Sequence, residues 1–545
     1  MTRSYSQGLS HAPLLCETIG ENLRRTAARF PDREALVVRS QAIRLTYRQL
    51  EEEVRRVARG LMALGIGKGD RVGIWAPNRV EWVLLQYATA TMGAILVNIN
   101  PAYKTTELEH ALRQSEVSVL VAARAFRGAD FVGMIEEVRG RCPALREIVV
   151  LETGWQQLLD RAAAVPDAQL REREATLEPD DPINIQYTSG TTGAPKGATL
   201  THHNILNNGF FVGEGQRLTD QDRVCIPVPF YHCFGMVLGN LACTTHGATM
   251  VIPAESFDPV AVLETVTAER CTALYGVPTM FIAVLDHPRF AEFAFPTLRT
   301  GIMAGSPCPV EVMKKVQTLL HMPEVTICYG MTETSPVSTQ TSVDDPLEKR
   351  TTTVGRVHPQ LEVKIVDPAS GRTVARGARG ELCTRGYSVM LSYWNDPDGT
   401  RRAIDAARWM HTGDLATMDE QGYVNIVGRI KEMIIRGGEN VYPREIEEFL
   451  YGHPAVSSVA VIGVPSEKYG EEVMAWVCLK PGATCDAPAL EAFCRGRIAT
   501  YKIPRHWKFV DSFPSTVTGK IQKFKMRALA IDELGLQRAA ATRTA

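Results

Sequence analysis

The chain has 545 residues, 45% hydrophobic and 22% charged, with a formal net charge of −1. That is enough apolar material for a large core and more than one structural unit. The balanced charge argues against a nucleic-acid backbone or an anionic membrane as partner, although a site for one small polyanion needs only local charges. The twelve cysteines are scattered and none form a C-x-x-C pair, so the usual zinc and thioredoxin patterns are absent. Most lie in apolar runs and read as small buried hydrophobes of a reducing compartment.

In chain order, the first twenty residues lack the apolar segment of a secretion signal and show no amphipathic transit-peptide repeat. The final TRTA is not a peroxisomal address, so the cytoplasm is the expected compartment. Leu50, Val54, Val57, Leu61 and Leu64 recur at steps of four and three, which is one face of a helix. Thr46 with Gln49 forms a capping box at its start, and Gly65 is a plausible stop. A strand over Val72–Trp75, a helix from about Arg79 to Thr91 and short β-rich runs at Ala94–Val97, Val117–Val121 and Ile148–Leu151 follow. Such alternation predicts α/β layers with mainly parallel sheets.

Val224–Ala254 contains no Lys, Arg, Asp or Glu and is long enough to span a bilayer. Its prolines, glycines and histidines fit a strand, a loop and a buried helix better. Hairpin-like segments occupy about 362–427. Runs at Val459–Val464 and Val473–Leu479 then alternate with helical stretches, as in a small α+β domain. The expected architecture is α/β: a large N-terminal domain of layered α/β subdomains plus a β-rich subdomain (1–430), followed by a small, mobile α+β domain (431–545).

The segment Tyr187-Thr-Ser-Gly-Thr-Thr-Gly-Ala-Pro-Lys-Gly197 follows a strand-like run. It packs together four hydroxyls (Thr188, Ser189, Thr191, Thr192), Gly190, Gly193 and Lys196. Glycines let the backbone approach an anion, hydroxyls and amides donate to it, and the lysine adds a point charge. That chemistry suits a polyphosphate. It is not a Walker A loop, because position 195 is Pro where that pattern needs Gly.

This segment resembles the signature loop of the acyl-adenylate-forming superfamily, which includes acyl-CoA synthetases. Four further motifs match in the same order: Tyr329-Gly-Met-Thr-Glu-Thr334, His411-Thr-Gly-Asp414, Gly428-Arg-Ile-Lys431 and Thr518-Gly-Lys520. Together they span nearly the whole chain. The resemblance implies an ATP-dependent ligase with Mg²⁺ as cofactor and coenzyme A as co-substrate. It also implies that Tyr329, Gly330 and Met331 lie at the adenine, with Gly305, Ser306 and Pro307 on its other side. Thr332 would meet the α-phosphate and Glu333 the metal. Asp414 and Arg429 would hold the ribose, and Lys431 would be the hinge.

Lys520 is the expected catalytic cation, since joining a carboxylate to an α-phosphate brings two anions together. Without that resemblance the favoured reading is a surface lysine of a basic tail with Lys523, Lys525 and Arg527. The small domain would swing about Lys431 and present Arg436-Gly437-Gly438, whose glycines leave room for a pantetheine arm.

Phe230–Met236, Tyr275–Phe281 and Gly301–Gly305 are uncharged and should wall an acyl pocket. His232 is expected to gate that pocket or meet the carboxylate, or else to be simply packed. Apolar walls favour an aliphatic acid, at about 0.8 kcal/mol per buried methylene. Segments such as PFYHCFGM, GYSVMLSYW and MIIRGGENVYP are similar to medium-chain fatty acyl-CoA synthetases. The expected partners are therefore a small carboxylic acid, ATP and coenzyme A, with no nucleic acid and no integral membrane segment. Monomer and homodimer both stay open. The rival reading is an enzyme that loads a separate acyl carrier protein; 25 residues follow Lys520, too few for a fused carrier domain.

Overall fold

The computed structural model describes residues 2–188, 195–306, 308–437, 439–516 and 521–541. Ser189, Gly190, Thr191, Thr192, Gly193, Pro307, Gly438 and Lys520 lie outside the described residues.

Two large sheets form the centre. In the first, strands Ile95–Asn98, Arg71–Trp75, Val119–Ala122 and Glu147–Val150 run parallel. Pro182–Thr188 extends that parallel set, and Lys196–Thr201 and Ser392–Tyr393 close it with antiparallel pairings. The second has a parallel core of Glu34–Val38, Thr249–Ile252, Arg223–Cys225, Ala273–Gly276, Thr300–Ala304 and Glu324–Gly330, with antiparallel strands at both margins.

The helix Tyr47–Ala63 starts at Thr46, whose capping box with Gln49 is complete, and buries Leu50, Val54, Val57 and Leu61. Gly65 follows at φ +79°, in the left-handed region that suits glycine. Helix Val80–Met92 is buried along its entire length. An all-round apolar helix has no solvent face to offer, and its few polar groups find internal partners: Gln86 donates to the Met236 carbonyl and Tyr87 to the Asn240 carbonyl.

The charge-free run becomes a strand, a loop, a π-helical segment Phe234–Leu241, a short helix Ala242–His246 and a strand. No helix among the described residues is long and apolar enough to cross a membrane. The boundaries differ slightly from the sequence reading: the strand expected through Leu151 ends at Val150, because Leu151 opens a helix.

A third, antiparallel sheet joins Tyr5–Gln7, Leu361–Val366, Gly380–Gly386, Met410–Met418 and Val424–Arg429. The described strands after it, from Ile434 onward, make a separate sheet around the long hairpin Val456–Ser466 and Gly470–Leu479. That sheet carries its own core of Ile434, Val441, Leu450, Val461 and Val477.

Candidate active site

The parallel strands Ala273–Gly276, Thr300–Ala304 and Glu324–Gly330 are in register and end side by side. Ligands of open α/β sheets bind beyond such carboxyl ends. Here those ends lead into Val277, Gly305 and Met331. Gly305 adopts φ +92°, and a Cβ there would stand 3.2 Å from Val277 Cγ1. Gly330 has no room for a side chain at all, since a Cβ would fall on the Pro336 carbonyl oxygen.

Beyond Met331, residues Thr332–Thr334 form a single 3₁₀ turn. Glu333 on this turn is 5% exposed. Its Oε1 accepts from the Tyr393 hydroxyl at 2.7 Å, and its carbonyl accepts from Met390 N. Burial and the neighbouring Glu333 charge push the Tyr393 phenol well above its ordinary pKa, so it stays a donor. Lys196 Nζ lies 4.7 Å from the Tyr393 ring centroid. Sheet pairing explains this meeting: Lys196 opens a strand that pairs with Thr188 on one side and with Ser392–Tyr393 on the other. A cation, a phenol and a carboxylate from three distant segments thus stand together.

Thr332 Oγ1 lies 3.8 Å from Cys233 Sγ, which is 3.8 Å from His232 Nδ1. His232 Nδ1 also accepts from Phe234 N at 3.1 Å, leaving the other ring nitrogen to carry the proton of a neutral ring. Burial pushes the Cys233 thiol up to about 12, so it is an inert wall and not a nucleophile.

A second group forms on the antiparallel sheet. Asp414 and Arg429 are directly paired across adjacent strands. Arg429 Nε donates to Asp414 Oδ1 at 2.8 Å, and the Tyr329 hydroxyl donates to Oδ2 at 2.6 Å. Burial opposes the Arg429 charge, but the Asp414 carboxylate outweighs it and the guanidinium pKa rises. Gly413 takes φ +70°, and its N–H donates to Glu381 Oε1. Asp414 N donates to Thr412 Oγ1, which itself donates to the Leu382 carbonyl. Asp414 is thereby fixed in place, 5% exposed, with each oxygen keeping a second lone pair for an incoming hydroxyl.

Phe234 packs against Tyr275 at a centroid distance of 6.1 Å, joining two of the expected acyl walls. Beside them Pro227, Phe257, Leu274, Tyr275, Met280 and Phe281, all uncharged, line a hollow of about 10 Å³, room for a water-sized group and no more.

Lys431 sits on the 3₁₀ turn Ile430–Glu432 between the two C-terminal sheets, exposed. Gly437 has φ +60°, and a Cβ would stand 3.1 Å from the Tyr469 ring. Arg436 is tied down by a two-point pair with Glu472.

Three participants escaped the sequence reading. Tyr393 lies 60 positions from its partner Glu333, and only sheet pairing unites them. Glu381, which holds Gly413, is an ordinary-looking strand carboxylate in sequence. Lys523, which reads as one of a row of tail cations, is 2.7 Å from Glu447 and 3.4 Å from Glu432. It ties the helix Lys523–Glu533 to the turn that carries Lys431.

This arrangement belongs to a defined class. Residues 23–394 match the AMP-binding enzyme family and 445–520 its C-terminal domain, so the chain is a member of the AMP-binding enzyme family. It is 50% identical over 545 aligned positions to the putative acyl-CoA synthetase YngI of Bacillus subtilis, covering 96% of this chain and 99% of that one. It is 44% identical to the mitochondrial medium-chain acyl-CoA ligase ACSF2 of Danio rerio, covering 98% and 92%. The crystal structure of the anthranilate CoA ligase AuaEII with anthranoyl-AMP is similar with a TM-score of 0.86, at 28% identity over 96% of this chain and 99% of that one.

Proposed function

We propose that this chain is an ATP-dependent acyl-CoA ligase acting on medium-chain fatty acids. The carboxylate attacks the α-phosphate of ATP, forming the acyl-adenylate and releasing pyrophosphate. The thiol of coenzyme A then attacks the acyl carbon, forming the thioester and releasing AMP and a proton. The observation that carries this reading is the pairing of a buried, doubly held Asp414 with the Glu333–Tyr393–Lys196 group. The first suits a ribose diol and the second a polyphosphate. The names of the relatives support an acid of middle length, and the uncharged walls joined at Phe234 and Tyr275 suit an apolar one.

In this reading Asp414 and Arg429 orient the ribose, and Tyr329, Gly330 and Met331 with Gly305, Ser306 and Pro307 border the adenine. Thr332 donates to the α-phosphate. Lys196, Thr188 and residues 189–193 hold the outer phosphates. Lys520 neutralises the two reacting anions, and His232 stands at the carboxylate end of the acyl cleft. Glu333, a single buried carboxylate with further ligands left to phosphate oxygens, fits the way Mg²⁺ is usually held. When bound, that ion supplies charge neutralisation on the phosphates. Residues 1–430 form the adenylation domain. Residues 431–545 turn about Lys431, so that the backbone at Gly437 and Gly438 lines the path of the pantetheine arm. The unpaired cysteines, mostly buried, suit a reducing compartment such as the cytoplasm.

The test is pyrophosphate release from ATP and Mg²⁺ with acids from acetate to palmitate, with and without coenzyme A, and with thioesters identified by mass. Thioesters peaking at middle chain lengths are expected. Adenylate without transfer to coenzyme A would instead identify a carrier protein as the acceptor. No pyrophosphate with any acid would sink the reading.

A further inference from the structure

On the antiparallel sheet, next to the turn that carries Asp414, three side chains of different chemistry converge. Glu381 and Cys383 are two apart on strand Gly380–Gly386 and so face the same side. His411 is the direct cross-strand partner of Cys383. His411 Nδ1 lies 2.9 Å from Glu381 Oε2 and 3.5 Å from Cys383 Sγ, and one donor atom from each residue falls within 4.8 Å of the others. A tetrahedral zinc ion with Zn–S of about 2.3 Å and Zn–N of about 2.0 Å places those two atoms about 3.5 Å apart, which is the separation already present.

Cys383 is fully buried and Glu381's side chain is 12% exposed, whereas His411's is 33% exposed and forms the open side. Trp409 is buried with Cys383 and shields the thiol. Asp405 Oδ2 lies 3.8 Å from His411 Nε2, on the far side of the ring. A carboxylate there orients a metal-bound imidazole when Nε2 keeps the proton. The second oxygen of Glu381 is already held by Gly413 N, which fixes the carboxylate before any ion arrives.

We propose that Glu381, Cys383 and His411 form a binding site for one divalent cation of the zinc class, with a fourth position left to water. A mixed sulfur, nitrogen and oxygen set selects a borderline ion over Mg²⁺ or Ca²⁺. A thiolate and a carboxylate balance its two charges, and the Cys383 proton leaves to solvent as the metal–sulfur bond forms. The donors belong to neighbouring strands already in register, so binding needs no backbone movement. It clamps Met410–Met418 to Gly380–Gly386 immediately before the turn that carries Asp414.

The test is titration of the chelator-treated full-length protein with Co²⁺, followed by displacement with Zn²⁺. The wild type is expected to take up one Co²⁺ per chain with near-ultraviolet thiolate-to-cobalt absorption, abolished by one equivalent of Zn²⁺. Cys383→Ser should remove that absorption, and Glu381→Gln and His411→Gln should each weaken binding at least tenfold. Circular dichroism would check the fold of each variant; should Cys383→Ser fail to fold, the other two carry the test. Absent cobalt–thiolate absorption in the wild type would overturn the proposal. So would absorption that survives Cys383→Ser, or affinity unchanged in both Glu381→Gln and His411→Gln.

Discussion

The two halves of the candidate site are built to opposite specifications. In the large domain, Glu333 and Asp414 are each about 5% exposed, and each is held by a phenol hydroxyl from a distant segment. In the small domain, strand Ile434–Arg436 leaves Ile435 51% exposed, and Glu439–Val441 buries only its last residue. Lys431 between them is exposed. The buried carboxylates are oriented before a ligand arrives, which lowers the cost of ordering it. The exposed strands have little buried surface to lose by changing neighbours, which fits the domain rotation proposed above.

The largest effect that would sharpen this contrast comes from Lys520. In Lys520→Ala, adenylate formation is expected to fall by about 100-fold to 1,000-fold, while thioester formation from supplied acyl-adenylate falls far less. Equal loss in both half-reactions, measured by quenched single-turnover assays, would break the division of labour. Next, Asp414→Asn keeps the shape but removes the charge facing Arg429. A buried polar partner of this kind is worth about 1–3 kcal/mol, so KM for ATP should rise roughly tenfold or more. Unchanged KM would remove Asp414 from the nucleotide site.

Tyr393→Phe strips Glu333 of its hydroxyl donor. A loss of about 1–2 kcal/mol should appear as a several-fold fall in kcat/KM with a steeper Mg²⁺ requirement. Loss of thermal stability alone would mean that the bond is structural. In the small domain, Gly437→Ala forces a Cβ onto a backbone at φ +60° beside Tyr469. A cost of about 1 kcal/mol is expected, with slowed transfer to coenzyme A and intact pyrophosphate release.

Acid provides the broadest test, one of stability and not of turnover. His202 and His358 are buried in the large domain, and burial lowers each to about 3. The unfolded chain protonates them near 6.5 while the native state does not, so it binds more protons and stability falls as pH drops from about 6.5 toward 3. Each histidine adds about 1.4 kcal/mol per pH unit to that slope. Denaturant midpoints at pH 7, 6 and 5 should fall steadily, and His358→Gln should flatten the trend. Pure alternation of stability with salt and none with pH would contradict it.

Much of this molecule was legible in its sequence. Helix Tyr47–Ala63 follows from its apolar spacing and its capping residues, because helix periodicity and caps are local properties. Asp414 and Lys431 stood out because each sits in a short contiguous motif; the structure puts Asp414 opposite Arg429 and Lys431 on an exposed turn, while most of the loop motif lies outside the described residues. The sequence also placed a boundary near Gly428–Lys431, and the described strands after it form a separate sheet. What tertiary structure alone decided is which distant groups meet. Tyr393 reaches Glu333 because one strand pairs with another nearly 200 residues earlier, and Arg429 faces Asp414 through strand register. Lys523 and Lys525 look alike in sequence, yet Lys523 is enclosed by Glu432 and Glu447 while Lys525 is exposed. Local chemistry selects the residue types, whereas register and packing over long separations select their partners, and only the folded chain contains that second kind of information.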